Sequence, residues 1–131
     1  MYINKFYKGS TMNKLLLVTV LVTSSLLAQS SDIEALAVEK CGSCHLIGAI
    51  TKDKLNNMSA PPSWALSKKV KDAYSNRDDA INFIVEYTMN PSEEKMLFSH
   101  KTKERFGVMP SQKDLLSEEE LRAVAEYIID N

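Results

Sequence analysis

The sequence predicts an all-α protein, and two observations support this. Apolar residues recur at intervals of three and four in several stretches after residue 31, which is the spacing that gives a helix one apolar face. No stretch alternates apolar and polar residues as a half-buried strand would. Proline and glycine separate the helical stretches, so residues 29–131 predict one domain of about four to five helices.

Residues 1–28 differ from the rest of the chain and predict a secretory signal peptide. Three lysines precede an apolar run, and no acidic residue occurs before Asp32. A basic start followed by a short apolar run is typical of an export signal. We expect translation from Met1 or Met12 and cleavage after Ala28, which would place the protein in the periplasm. Retention of residues 15–28 as a membrane anchor is the alternative.

The charge of the chain argues against one class of partner. The chain has 16 basic and 17 acidic residues, and removal of the three lysines within residues 1–28 leaves a formal charge of −4. We therefore expect no binding of nucleic acid.

Residues 32–41 predict the first helix, because apolar residues at 33, 36, 37 and 41 would share one face and Ser31 or Asp32 can cap it. The helix leads into Cys41-Gly42-Ser43-Cys44-His45, a Cys-x-x-Cys-His motif that is typical of c-type haem attachment. Two cysteines at this spacing project from one side of a helical turn, so both can bond one porphyrin. The adjacent imidazole is a good iron ligand. We predict one covalent haem c, which would also supply much of the core of so small a domain.

Three other interpretations of the cysteines are open. A thioredoxin-like dithiol would need a βαβ context, of which the sequence gives no sign. A zinc site would need four ligands, and the two cysteines and two histidines of the chain are Cys41, Cys44, His45 and His100. A disulfide between Cys41 and Cys44 would close only a small loop. Haem agrees best with the export signal, because thioethers form outside the bacterial cytoplasm in the families that use this motif.

The middle of the chain predicts a loop and then two helices. Residues 46–62 lack periodicity and contain glycine, asparagine and proline, which favours a loop. Ser63 can begin a helix that ends near Asn76. Residues 78–89 predict the next helix, which Pro91 ends.

The last third of the chain predicts a short helix, a loop and a longer final helix. We expect the short helix over residues 92–98, followed by a polar, basic stretch over residues 99–105 and a loop over residues 106–110. Ser117 and Glu120 then form a capping-box pattern, and three consecutive acids suit a helix N-terminus. The final helix has the apolar stripe Leu121, Val124, Ala125 and Ile128.

Haem iron bound by four porphyrin nitrogens and His45 would have one position left, for which the candidates are Met58, Met89, Met96, His100 and Met109. Met89 and Met96 have apolar neighbours, where methionine is most often a core residue. Met58 follows His45 too closely to reach the opposite face of the haem.

Met109 is the favoured ligand. It lies between Gly107, which permits unusual backbone angles, and Pro110, which fixes φ, so its thioether would sit on a stiffened loop. Its distance along the chain from His45 allows the chain to wrap around the ring. His100, in a solvated stretch, is the rival ligand.

The Cys41–His45 motif, the Met109-Pro110 pair and the closing helix from Ser117 to Ile128 together resemble the class I, single-haem cytochromes c of bacteria. The resemblance covers nearly the whole of residues 29–131. It implies a small cytochrome c fold, with about four to five helices wrapped around one covalently bound haem and a Met-Pro loop closing one haem face.

The resemblance also implies a helix crossing. In this family the helix before the haem motif packs across the C-terminal helix, so Leu36 and Ala37 would meet Val124 and Tyr127.

Further site residues follow from the same resemblance. A proline carbonyl after the motif accepts a hydrogen bond from the proximal imidazole in this family, which implies a role for Pro61 or Pro62. Apart from the resemblance, the Trp64 indole N–H could donate to a haem propionate or the side chain could simply pack in the core, and Arg105 is a similar case.

Ligation by histidine and methionine leaves no open iron position, so we expect electron transfer and not enzyme catalysis. The expected protein is a monomer that exchanges one electron with redox protein partners such as a terminal oxidase, a peroxidase or a quinol-oxidising complex. It would touch a membrane only if the signal segment is retained. A basic rim that could steer an acidic partner, or simply be solvated, comprises Lys52, Lys54, Lys101, Lys103 and Arg105.

Two alternative functions stay open. A labile Met109 would make the protein a haem-based sensor or gas-ligand binder. Without haem, Cys41 and Cys44 would make it an exported dithiol redox protein.

Overall fold

The computed structural model describes residues 32–131, and within this part of the chain it contains helices and no strand. The all-α prediction is confirmed. The predicted signal peptide lies outside the described residues. In chain order the helices are α1 (residues 32–41), α2 (Lys52–Asn57), α3 (Ser63–Ala73), α4 (Arg77–Met89), α5 (His100–Phe106) and α6 (Glu118–Asp130). None of the helices in residues 32–131 is long and apolar enough to cross a membrane.

Helices α3, α4 and α6 pack against one another and form one part of the core. Its buried residues are Val70 from α3, Ala80 and Ile81 from α4, and Ala125 and Ile129 from α6. Burial of these apolar side chains removes them from water, which is the main favourable contribution to folding.

A second cluster joins α1 to α6. Ala37, Ile47, Val124 and Ile128 are buried together, with Leu36 and Tyr127 packed against them. The first and last helices therefore pack together, and the expected residues belong to this cluster.

The start of α6 shows the predicted capping box. The Ser117 hydroxyl accepts a hydrogen bond from the Glu120 N–H at 3.2 Å, and the Ser117 N–H donates to the Glu120 carboxylate at 2.9 Å. Both bonds satisfy backbone groups that a helix terminus would otherwise leave without a partner.

The prediction of a continuous loop over residues 46–62 is wrong, because this segment contains α2. Thr51 caps the helix by accepting a hydrogen bond from the Lys54 N–H at 3.2 Å. All six residues of α2 are exposed, so the helix has no apolar face that the sequence could reveal.

The prediction of a short helix over residues 92–98 is also wrong. A single turn forms there, with the Met96 N–H donating to the Glu93 carbonyl at 3.2 Å. The polar, basic stretch is helical instead, as α5. No residue of the described segment 100–106 is buried, so its composition looks like that of a solvated loop.

The break between α3 and α4 comes earlier than predicted. Helix α3 ends at Ala73, and Asn76 caps α4 by accepting hydrogen bonds from the N–H groups of Asp78 and Asp79, at 2.8 and 3.3 Å. Asparagine is a preferred N-cap residue, which explains why the chain breaks before it.

Candidate haem site

The Cys-x-x-Cys-His motif forms a tight turn at the end of α1. The Gly42 N–H donates to the Val38 carbonyl at 3.0 Å, and the His45 N–H donates to the Cys41 carbonyl at 2.9 Å. A Cβ atom at position 42 would clash with the Val38 carbonyl oxygen. A glycine in the second place of the motif therefore lets the chain turn closely enough to place His45 directly after the helix.

The two cysteines are free thiols that line the same cavity. Cys41 is half-buried and Cys44 is exposed. Burial raises the pKa of the Cys41 thiol, and the neighbouring Cys44 raises it further. Redox-active dithiols depend on a lowered thiol pKa, so this environment argues against the dithiol interpretation.

The orientation of His45 is fixed by a proline carbonyl. The imidazole Nδ1 lies 2.6 Å from the Pro61 carbonyl oxygen, to which it donates as the neutral tautomer that leaves the Nε2 lone pair free. Burial lowers the pKa of His45, and the hydrogen bond to Pro61 opposes this effect. A neutral imidazole with a free Nε2 is the form that binds iron.

Of the two prolines that the sequence allowed in this role, only Pro61 has a carbonyl at the imidazole. The Pro62 carbonyl accepts instead from the N–H groups of Ala65 and Leu66, at 3.0 and 3.1 Å, because Pro62 is the N-cap of α3.

The segment that carries Pro61 is bonded to the motif on both sides. The N–H groups of Ser59 and Ala60 both donate to the Cys44 carbonyl at 3.2 Å. The Ser63 N–H donates to the Leu46 carbonyl at 3.1 Å. These backbone hydrogen bonds help to place the Pro61 carbonyl beside the imidazole.

The cavity next to the motif is lined mainly by apolar side chains. They come from α3, α4 and α6 and from the segments around residues 96–98 and 106–110. Cys41, Cys44, His45, Pro61 and Met109 lie in the lining. Two thiols, a free imidazole nitrogen and a thioether among apolar walls fit an iron porphyrin in both ligand type and polarity.

The five candidates for the second axial ligand differ in whether they line the cavity. Met109 is half-buried and lines the cavity, as does Met96, whereas Met58, Met89 and His100 lie outside the lining. The His100 side chain is 80% exposed and lies 3.4 Å from the Glu104 carboxylate.

The zinc interpretation is not supported within residues 32–131. No group of three or more histidine, cysteine, aspartate or glutamate side chains in this part of the chain could hold a metal ion. His100 therefore does not join the motif residues.

The two residues suggested as propionate contacts lie elsewhere. Trp64 is 59% exposed and outside the cavity lining, which does not support a propionate contact. The Arg105 guanidinium lies 4.7 Å from the centre of the Phe106 ring, and it is Phe106 that lines the cavity.

Comparison with known proteins agrees with this geometry. Residues 28–128 match the family described as Cytochrome C oxidase, cbb3-type, subunit III. The chain belongs to this family of c-type cytochrome domains. The cytochrome is also 35% identical over 102 residues to an uncharacterized protein of Aquifex aeolicus (strain VF5), an alignment that covers 70% of this chain and 67% of that protein. No solved structure matches the chain.

Family membership makes the chain a haem-binding, electron-transfer domain, as the sequence predicted. Domains of this family are typically exported or membrane-associated.

The sequence did not identify the aromatic and basic residues in the cavity lining of the cytochrome. Phe83 and Tyr87 on α4 line the cavity, while Ala80 and Ile81 of the same helix pack in the core. A helix with apolar residues on two faces is expected to be buried on both. The sequence of α4 has such residues on its core face and on its cavity face, so the sequence contained the signal for the cavity-lining aromatics.

The basic residues at the cavity also differ from those expected. Lys40 and Lys69 line it, whereas the predicted basic rim lies outside the lining. Lys40 directly precedes the motif, which is the signal that could have identified it.

Proposed function

We propose that the protein is an exported, single-haem c-type cytochrome that accepts and passes one electron. Cys41 and Cys44 form thioethers to haem c, and His45 and Met109 are the axial ligands. The observation that carries this proposal is that His45, with Nδ1 already bonded to Pro61, lines the same apolar cavity as Met109.

Each residue has a physical role in this function. The Pro61 carbonyl holds the His45 ring in one tautomer and one orientation, which keeps Nε2 available as a ligand. The Met109 thioether is a soft ligand that favours ferrous iron, and the apolar walls exclude water. Haem supplies one-electron oxidation and reduction when bound. We therefore expect a high reduction potential and slow reaction with external ligands.

The compartment and partners follow from the sequence and from the family. The basic, apolar start of the chain supports export to the periplasm with cleavage after Ala28. The family description names an oxidase subunit, which supports a redox protein partner of a respiratory chain, such as a terminal oxidase, a peroxidase or a quinol-oxidising complex. We propose that the protein acts as a monomer in these encounters.

The test is the absorption spectrum of protein matured with the cytochrome c assembly machinery. The oxidised form should show the weak near-infrared sulfur-to-iron band, and Met109→Ala should abolish it. Met58→Ala is the matched control, because Met58 lies outside the cavity lining, and it should retain the band.

The other results would change the assignment. Loss of the band in Met96→Ala with retention in Met109→Ala would move the ligand to Met96. A wild-type protein that lacks the band but binds carbon monoxide readily would replace the electron carrier with a sensor or gas-ligand binder.

Haem attachment and export have their own tests. Haem staining in a denaturing gel should be positive for wild-type protein and lost when Cys41 and Cys44 are both replaced by alanine. N-terminal sequencing of the periplasmic protein should begin at Gln29. An intact N-terminus in the membrane fraction would show that residues 15–28 are kept as an anchor.

A further inference from the structure

The end of α4 and the segment after Met109 bond to each other. A helix leaves its last carbonyl groups without partners inside the helix. In α4 the Thr88 carbonyl accepts from the Gln112 N–H at 3.0 Å, and the Met89 carbonyl accepts from the Ser111 hydroxyl at 2.5 Å. The residues that follow the candidate ligand therefore satisfy the end of the helix.

Gln112 has further bonds that hold the segment in shape. Its side-chain amide donates to the Pro110 carbonyl at 2.8 Å, directly behind the ligand position. Its own carbonyl accepts from the Leu115 N–H at 2.9 Å and from the Leu116 N–H at 3.3 Å. Leu116 is buried, at 5% exposure, so these bonds connect the segment to the core.

The segment before Met109 is held less firmly. The Gly107 N–H donates to the Lys103 carbonyl of α5 at 2.8 Å, but residues 100–106, all within the described chain, include none that is buried. Val108 is 43% exposed. The bonds of residues 111 and 112 to α4 therefore restrain Met109 from its C-terminal side, in addition to the hydrogen bond between Tyr87 and the Met109 backbone.

We propose that Ser111 and Gln112 are positioning residues for Met109. They hold its thioether in the cavity by bonding residues 109–112, the ligand segment, to the Thr88 and Met89 carbonyls. The proposal rests on Met109 being the axial ligand. Thr88 and Gln112 themselves line the cavity, so the bonded segment lies at its wall. Loss of these bonds should let Met109 leave the iron while the haem stays attached and the domain stays folded.

The experiment measures carbon monoxide binding to the reduced holoprotein, since carbon monoxide can bind only when the sixth position is open. Ser111→Ala should raise the observed binding rate about fivefold, which corresponds to the loss of about 1 kcal/mol for one hydrogen bond. Gln112→Ala should act in the same direction but less strongly, because it removes only the side-chain bond to the Pro110 carbonyl and keeps the backbone bond to Thr88. Ser111→Thr retains the hydroxyl and should restore the wild-type rate.

The matched control is Ser75→Ala, because Ser75 is exposed in the turn between α3 and α4, away from the ligand segment. It should leave the binding rate unchanged. Haem staining and the denaturation midpoint of each variant establish that attachment and folding are retained, and the near-infrared band should weaken only in Ser111→Ala and Gln112→Ala.

The outcomes separate this inference from the function on which it rests. A wild-type near-infrared band with unchanged carbon monoxide rates in Ser111→Ala and Gln112→Ala would overturn the positioning role and leave the ligation intact. Equal effects of Ser75→Ala, or no rescue by Ser111→Thr, would also overturn it. Absence of the wild-type band would overturn both.

Discussion

The two sides of the cavity are built in different ways. On the side of His45, the candidate ligand follows α1 directly, its imidazole is bonded to Pro61, and the next residues, Leu46 and Ile47, are buried. On the side of Met109, the segment lies near the surface, and residues 111 and 112 bond it to the last turn of α4. The difference teaches that His45 is placed by the core of the domain, whereas Met109 lies on a segment that hydrogen bonds attach to α4.

The largest expected effect is on the His45 side. Ile47→Ala should lower the free energy of unfolding by about 2–5 kcal/mol, because Ile47 is 2% exposed and packs with Ala37, Val124 and Ile128. Val108→Ala, on the other side, should change it by about 0.5 kcal/mol or less. Denaturant unfolding of the holoproteins measures both values. Similar losses in the two variants would show that the two sides are equally anchored.

The next largest effect on stability is expected in the tight turn of the Cys-x-x-Cys-His motif. Gly42→Ala should cost about 1–3 kcal/mol of stability, since the added Cβ would meet the Val38 carbonyl oxygen and the backbone would have to shift. We expect a lower fraction of protein with attached haem, measured by haem staining against total protein. Ser43→Ala, at an exposed neighbouring position, should match wild type. Full haem attachment in Gly42→Ala would refute the need for close approach.

A smaller effect on stability is expected at Gly107, two residues before Met109. Gly107 has φ 70° and ψ −166°, a conformation that essentially only glycine adopts, and a Cβ there would meet no atom within 4 Å. Gly107→Ala should therefore act by backbone strain alone, at a cost of order 1 kcal/mol. The carbon monoxide rate should rise while haem attachment stays complete. A wild-type rate in this variant would show that the strain is absorbed without moving Met109.

The smallest effect is expected at the far end of α4. Arg77 there bonds Asp130 of α6 with two hydrogen bonds, at 2.6 and 3.0 Å, and this contact lowers the pKa of Asp130. A carboxyl group with a lowered pKa in the folded state stabilises the fold above its ordinary pKa and loses that contribution as the pH falls through the folded value. Wild-type protein should thus lose slightly more stability than Arg77→Ala below the ordinary carboxyl pKa of 3.8. The pair is exposed, so the difference in unfolding midpoint should be small.

Arg77→Ala also tests which part of α4 controls the position of Met109. Arg77→Ala should leave the carbon monoxide rate unchanged, because Ser111 and Gln112 bond the opposite end of α4. A raised rate would mean that the position of the whole helix, and not its last turn, controls Met109.

The elements that were predicted correctly from the sequence are those whose sequence patterns lie in neighbouring residues. The motif Cys41–His45 and the Ser117 capping box are both local patterns. The structure shows the capping box as predicted and places Cys41, Cys44 and His45 in the lining of one cavity. The packing of α1 against α6 was implied by the resemblance to the class I cytochromes c, and the structure places the expected residues in one cluster. Family membership confirms the fold that these patterns imply.

The elements that the sequence missed depend on exposure or on distant contacts. All six residues of α2 and four of the seven residues of α5 are exposed, and neither helix has a buried residue, so neither has an apolar stripe to detect. The choice between Pro61 and Pro62 depends on which carbonyl faces the imidazole, and only the folded chain decides that. The bonds of Ser111 and Gln112 to α4 cross more than 20 residues of chain, and no local pattern marks them.

The attachment of the ligand segment to α4 has an evolutionary consequence. Its acceptors are the carbonyl groups of residues 88 and 89, and every amino acid supplies a backbone carbonyl. Mutations at these two positions can therefore accumulate without removing the acceptors, whereas the donor hydroxyl depends on the side chain at position 111. Among homologues, selection for this attachment should constrain the loop and leave no correlated substitutions in the helix that receives it.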